Sequence, residues 1–168
     1  MADPAELDRL ELELQPPAAR EDTRRYLAGT EHTAQQLSRY LKKKRYNPEV
    51  VRSTVSWARE YGIVDDGRYA EIYVRSHSRT SPMGNYRLRR ELRKRGVASD
   101  IVSRVLEERQ EDDLFETLVR DVAGKYGGLE HEKARRRAFG YLQRRGFQHH
   151  LIMEVLMKAL SGAGDEGP

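Results

Sequence analysis

One arrangement of apolar positions occurs three times along the chain. When Leu41, Leu92 and Leu142 are aligned, Tyr46, Val97 and Phe147 coincide five places later. The pairs Val50/Val51, Ile101/Val102 and Leu151/Ile152 follow, and then Val55, Leu106 and Leu156, with no insertion anywhere between. The copies stand roughly 50 residues apart, the mark of an internal repeat in which small supersecondary units share a core.

Each copy predicts three helices. In the middle copy the first opens at Asp65-Asp66, whose carboxylates can accept the orphan N–H groups of a first turn, and continues with Tyr69, Ala70, Tyr73 and Val74 at helical period. The stretch RTSPMGN interrupts it. The second helix runs through Leu88 and Leu92 to Gly96, a residue suited to a left-handed cap, and Ser99 or Asp100 starts the third, with Ile101, Val102, Val105 and Leu106 inward. The last copy repeats the plan from Asp112-Asp113 through Leu114, Phe115, Leu118, Val119 and Val122, stops at Gly127-Gly128, and resumes with Ala134, Ala138, Leu142 and the Gly146 cap. In the first copy Thr33 and Gln36 have capping-box spacing, Asn47-Pro48 opens the third helix and Gly62 closes it, while the opening helix is short, from about Glu21 to Ala28.

These elements predict an all-α protein: three tandem three-helix repeats, residues 20–62, 63–110 and 111–160, in an elongated, curved, right-handed-type helical array. An acidic, non-helical arm, 1–19, precedes them and a flexible tail, 161–168, follows. The one strand-like pattern is LELEL, Leu10 to Leu14, just before Pro16-Pro17. It reads as an edge strand, a docking segment, or a disordered or surface-laid terminus.

Composition narrows the class. Cysteine is absent, which excludes a disulfide framework, a thiol nucleophile and thiolate metal sites, and fits a cytoplasmic protein. The opening MADPAELDRL is acidic and lacks the apolar segment of a secretory signal, and no apolar run is long enough to span a bilayer, so no membrane association is expected. The formal charge of +4 conceals a segregation: residues 1–15 carry −4 and the tail from Ser161 carries −2, which leaves +10 on the body between. A basic body attracts a polyanion or an acidic protein surface.

That charge recurs with the repeat. On a helical wheel of the second helices, with the aligned leucine inward, Arg39, Lys42 and Lys43 point outward in the first copy. Tyr86, Arg87, Arg90, Arg93 and Lys94 do so in the second, and Arg136, Arg137 and Arg144 in the third. A basic outer face on one helix is ordinarily solvated surface, because Arg and Lys are good helix formers. Here only Glu91 interrupts the cations between Tyr86 and Arg95, and the face occurs three times, which favours an anionic partner. Lys and Arg alone give phosphate contacts that are salt-dependent and independent of sequence. Tyr86 either stacks on a base or packs against a neighbouring side-chain stem.

Catalytic chemistry finds no support. His131-Glu132 and His149-His150 lack the spacing of a zinc motif, no GxxxxGK[ST] or GxGxxG occurs, and the paired aspartates Asp65, Asp66, Asp112 and Asp113 sit where helix caps are needed. No catalytic residue, metal or cofactor is expected.

The runs YGIVDDGRYAEIYVRS and GNYRLRRELRKRGV resemble the signature of the RecX family of bacterial recombinase regulators. The matching positions are Gly62, Ile63, Val64, Asp65, Asp66, Tyr69 and Ala70, then Gly84, Arg87, Leu88, Glu91, Leu92, Arg95, Gly96 and Val97. The likeness covers about Arg20 to Leu160. The chain departs from the family pattern at Arg45, where Gly is usual, at Gln36, where Glu is common, and in the acidic arm. The resemblance implies a non-enzymatic modulator that binds the RecA–DNA filament, contacts single- and double-stranded DNA without sequence preference, and inhibits strand exchange and ATP hydrolysis by the recombinase. A monomer is expected. The alternative is a general DNA-binding helical protein with no dedicated protein partner.

Overall fold

Nine α-helices succeed one another in the computed structural model, which describes residues 4–79 and 82–161, the side chains of 4–12, 78 and 79 excepted. They are α1 (Pro4–Leu27), α2 (Ala34–Lys43), α3 (Pro48–Glu60), α4 (Asp66–Arg79), α5 (Asn85–Lys94), α6 (Ser99–Glu107), α7 (Phe115–Tyr126), α8 (His131–Arg144) and α9 (His149–Leu160). A 3₁₀ turn over Glu111–Leu114 precedes α7. The acidic tail beyond Ser161, with Asp165 and Glu166, lies outside the described residues, as do Thr80 and Ser81 of the RTSPMGN break.

Each successive trio encloses its own core. Leu41, Leu92 and Leu142 are fully buried at the centres of three separate clusters, formed with Leu37, Val51 and Ala58 in the first, Leu88, Val102 and Leu106 in the second, and Leu118, Leu151 and Val155 in the third. Burying a leucine of this kind contributes about 1.5–3 kcal/mol. Leu118, Leu92 and their equivalents therefore hold each trio, and the trios need only modest junctions to stack.

The non-helical arm is corrected by the structure. Residues from Pro4 onward belong to α1, one continuous helix that includes Pro16 and Pro17. Prolines inside a helix remove backbone donors, yet the flanking turns are anchored. The amide of Asn47 donates to Gln15 Oε1 at 2.8 Å, Ala19 and Thr23 are fully buried, and the Tyr46 hydroxyl donates to Asp22 Oδ2 at 2.8 Å. Burial and the adjoining Asp22 carboxylate push the Tyr46 phenol up to about 12. An edge strand needs a strand to pair with, and none exists among the described residues.

The junctions between trios are built twice on one plan. The start of α2 sits on the end of α5: Thr33 Oγ1 donates to the Arg95 carbonyl at 2.6 Å, and the amide of Ala34 donates to Asp66 Oδ1 at 2.8 Å. The start of α5 sits on the end of α8 in the same way. The Gly84 amide donates to the Arg145 carbonyl at 2.8 Å, that of Tyr86 to the Gly146 carbonyl at 3.3 Å, and that of Asn85 to Glu111 Oε1. At the second junction amides left orphaned at the start of α5 thus meet carbonyls at the end of α8, while at the first a hydroxyl donates to the carbonyl and in both one orphan amide meets a carboxylate. The macrodipoles of α2, α5 and α8 follow head to tail.

Gly96 and Gly146 have left-handed backbones, with φ of 87° and 82°, and both also lie beneath an incoming helix. A Cβ at Gly146 would come within 2.5 Å of the Arg87 amide, and one at Gly96 would collide with the Gln35 side chain. The third equivalent position is Arg45, left-handed at φ 66° and exposed. Among the described residues no helix descends on Arg45, which is exposed, so a side chain fits there at the cost of backbone strain alone. Relief of that strain, about 1–2 kcal/mol, outweighs the extra unfolded-state freedom of glycine, about 0.4–1 kcal/mol. Arg45→Gly is therefore expected to raise the unfolding free energy by about 1 kcal/mol in urea titrations. A loss of stability would show that Arg45 makes compensating contacts.

Candidate nucleic-acid interface

The cations on α2, α5 and α8 divide into two sets. Three places after each aligned leucine stands a cation held over a tyrosine ring: Lys44 over Tyr40 at 5.7 Å, Arg95 over Tyr73 at 4.6 Å and Arg145 over Tyr141 at 5.3 Å. Such contacts stabilise the fold and withdraw the charge from partners. Lys44 also pairs with Asp22 at 3.6 Å, and Arg145 Nε donates to the Pro82 carbonyl at 2.6 Å. Arg95 donates to Glu91 Oε2 at 2.8 Å, a bond that holds the Glu91 carboxyl below its usual range. The one acid on α5 is thereby neutralised by a structural arginine.

The second set is free. Arg39, Lys42, Lys43, Arg90, Arg93, Lys94, Arg136, Arg137 and Arg144 are exposed, and none has a carboxylate partner among the described residues. Arg87 differs. It is half-buried at the junction of α5 with α8, its Nε is enclosed without a hydrogen-bond partner, and its Nη1 donates to the Arg144 carbonyl at 3.5 Å. Its place on the wheel looked outward, but the neighbouring trio covers it. Arg89, absent from the wheel's outward set, is exposed and tied to α6 through Ser103 Oγ at 3.1 Å.

Stacking of the trios joins part of the set. Arg90 and Arg144 border one hollow with Tyr86, Arg87, Gln143 and Gly146, while Arg136, Arg137 and Arg144 border another with Tyr126 and Gly140. Neither is lined by an acid. Arg39, Lys42 and Lys43 occupy α2, with the two lysines at the end remote from α5. Three helices placed end to end therefore carry unpaired cations along one spine, an arrangement that suits a chain of phosphates better than a single small anion.

The aspartate pairs act differently from one another. Asp65 Oδ1 accepts from the amides of Gly67 and Arg68 at 2.8 and 3.0 Å, capping α4. Asp66 instead reaches back to α2 and pairs with Arg59 at 3.0 Å. Asp112 and Asp113 do not cap α7: they are exposed, no side chain caps that helix, and Asp112 lies 3.7 Å from His150. The 3₁₀ turn makes Glu111 the carboxylate that enters the junction, where it accepts from the Asn85 amide and from that of Gln148 at 3.4 Å. Arg109 supports it at 4.0 Å and donates to Asn85 Oδ1 at 2.5 Å, and burial pulls the Arg109 guanidinium below its ordinary value. Glu111 was missed in the sequence because its role depends on that turn. Ser99 and Asp100 make no side-chain cap to α6, whose N-cap is Ala98.

Among the described residues no helix is long and apolar enough to cross a membrane, and no three His, Asp or Glu side chains are grouped to hold a metal ion.

The three tandem trios place this all-helical chain in the class of modular helical-repeat proteins. Models of the first, second and third three-helix domains of RecX match residues 19–57, 65–106 and 110–156. The regulatory protein RecX of Trichlorobacter lovleyi is 34% identical over 139 residues, covering 80% of this chain and 90% of that protein. That of Halorhodospira halophila is 33% identical over 150 residues, covering 89% of each. Crystal structures of RecX from Lactobacillus salivarius and of a second regulatory protein RecX superpose with TM-scores of 0.77 and 0.79. They are 19% and 20% identical, and cover 86% and 92% of this chain and 96% and 78% of theirs. The chain belongs to the RecX family of regulatory proteins.

Proposed function

We propose that this protein is a non-catalytic, cytoplasmic regulator that binds the RecA–DNA filament as a monomer and lowers strand exchange and ATP hydrolysis by the recombinase. The observation that carries this reading is the periodic spine: unpaired cations recur on α2, α5 and α8, which stand end to end. A periodic basic surface matches a periodic polyanion through many weak contacts, each sensitive to salt. Single- and double-stranded DNA are both bound without sequence preference, since the free cations meet phosphates rather than base edges.

The experiment compares affinity for RecA-coated single strands with that for naked strands across a salt series, alongside the recombinase's ATPase rate. Tighter binding to the coated strand and a reduced ATPase rate are expected. Equal affinity for both, with a steep salt slope and an unchanged ATPase, would leave a general DNA-binding protein in place of a filament regulator.

A further inference from the structure

We propose that Tyr86, with Arg90 and Arg144 lining the same hollow, forms a subsite for one nucleotide of a single strand: the ring receives the base and the arginines receive the adjoining phosphates. This rests on the reading of the spine as a DNA-binding surface.

Tyr86 is the tyrosine of the basic helices that nothing engages. Tyr40 stacks on Tyr26 at 4.1 Å, and Tyr141 lies beneath Arg145 and Lys125 and donates its hydroxyl to Asp121 Oδ2 at 2.7 Å. Tyr86, in the first turn of α5, is 74% exposed and has neither a ring contact nor a hydroxyl hydrogen bond among the described residues. An exposed tyrosine is by itself ordinary surface, as at Tyr61, and what sets Tyr86 apart is the arginines that line the same hollows. The alternative, packing against a neighbouring stem, is not what the ring does.

Its surroundings are those a nucleotide requires. Tyr86 lines two hollows. One, of about 270 Å³, is lined by Arg89, Arg90 and Arg93. The other, of about 390 Å³, is lined by Arg87, Arg90, Gln143, Arg144 and Gly146. Arg90 borders both, and neither contains an acid to repel phosphate. Gln143, which lines the same hollow, carries both a donor and an acceptor on its amide and so does not dictate which base enters. The second hollow exists only because α5 is seated on α8, so the subsite belongs to the junction of the second and third trios.

The ligand class follows from geometry. Bases in a duplex are paired and stacked, so their faces are closed to a ring on a helix surface, whereas single-strand bases splay out and stack on aromatics with little regard to sequence. Duplex DNA meets this face through phosphates alone.

The test measures binding of oligothymidylate and of an abasic strand of equal length, at matched salt, to the wild type, Y86A and Y86F. The wild type is expected to prefer oligothymidylate by roughly five- to 150-fold. Y86A is expected to bind both strands as the wild type binds the abasic one, with an unchanged salt slope and unchanged helix content, and Y86F to retain the preference. Equal wild-type affinity for the two strands, or a preference that survives in Y86A, overturns the subsite while leaving the DNA-binding reading intact. Failure of the wild type to bind either strand overturns both.

Discussion

Changing Arg90, Arg93 and Lys94 together to Glu is expected to abolish inhibition of the recombinase and to weaken DNA binding by at least about a hundredfold near 0.1 M salt. The magnitude follows from counterion release. Each phosphate contact contributes about 0.7 to 0.9 to the slope of log affinity against log salt, so removing three lowers that slope by about 2 to 3. Reversal of the charge adds repulsion. The three side chains are exposed and have no carboxylate partner among the described residues, while Leu88 and Leu92 on the same helix are fully buried, so helix content measured by circular dichroism should not change. Arg95 is spared because its bond to Glu91 and its seat on Tyr73 are structural. Retained inhibition, with the fold intact, would move the interface away from α5.

The second large effect is expected at Gly146. Gly146→Ala should lower the unfolding free energy by about 2–5 kcal/mol. About 1–2 kcal/mol comes from a left-handed backbone that L side chains disfavour, and about 1–3 kcal/mol from overpacking. The new Cβ would meet the amide and Cβ of Arg87, and the backbone cannot retreat, since the Gly84 and Tyr86 amides donate to the Arg145 and Gly146 carbonyls. Gly29→Ala is the control: its φ of 79° carries the same backbone penalty, with no atom within 4 Å of the added Cβ. If the two substitutions cost the same in urea unfolding, the seat of α5 on α8 contributes nothing. A greater loss at Gly146 would also separate Arg90 from Arg144, so binding should fall with stability.

The repeat was legible because its signals are local. Leu41, Leu92 and Leu142 advertise a core by spacing alone, and Thr33 with Gln36 forms its capping box within four residues, at 3.1 and 2.9 Å. Pattern failed where two local readings competed. LELEL alternates like a strand and precedes two prolines, yet it continues a helix whose later turns are fixed by Asn47 and Tyr46, residues of another turn. The candidate interface was half legible for a similar reason. A wheel separates inward from outward, but it does not show that Arg87 is covered by α8 or that Tyr86 is left bare between two arginine-lined hollows.

By itself, the sequence determined a three-fold helical repeat, a basic second helix in each copy and a chain without thiol chemistry. Periodicity, charge and composition act within a few turns of one helix and need no partner. Only the tertiary structure decided which carboxylates join the trios, Asp66 and Glu111, which cations remain free, and why Gly146 must be glycine while Arg45 need not be. Those outcomes depend on contacts between residues 26 to 63 positions apart, in which the orphan amides of Ala34 and Asn85 find carboxylates of the next repeat, and the Thr33 hydroxyl and Arg145 guanidinium donate to carbonyls of a neighbouring one.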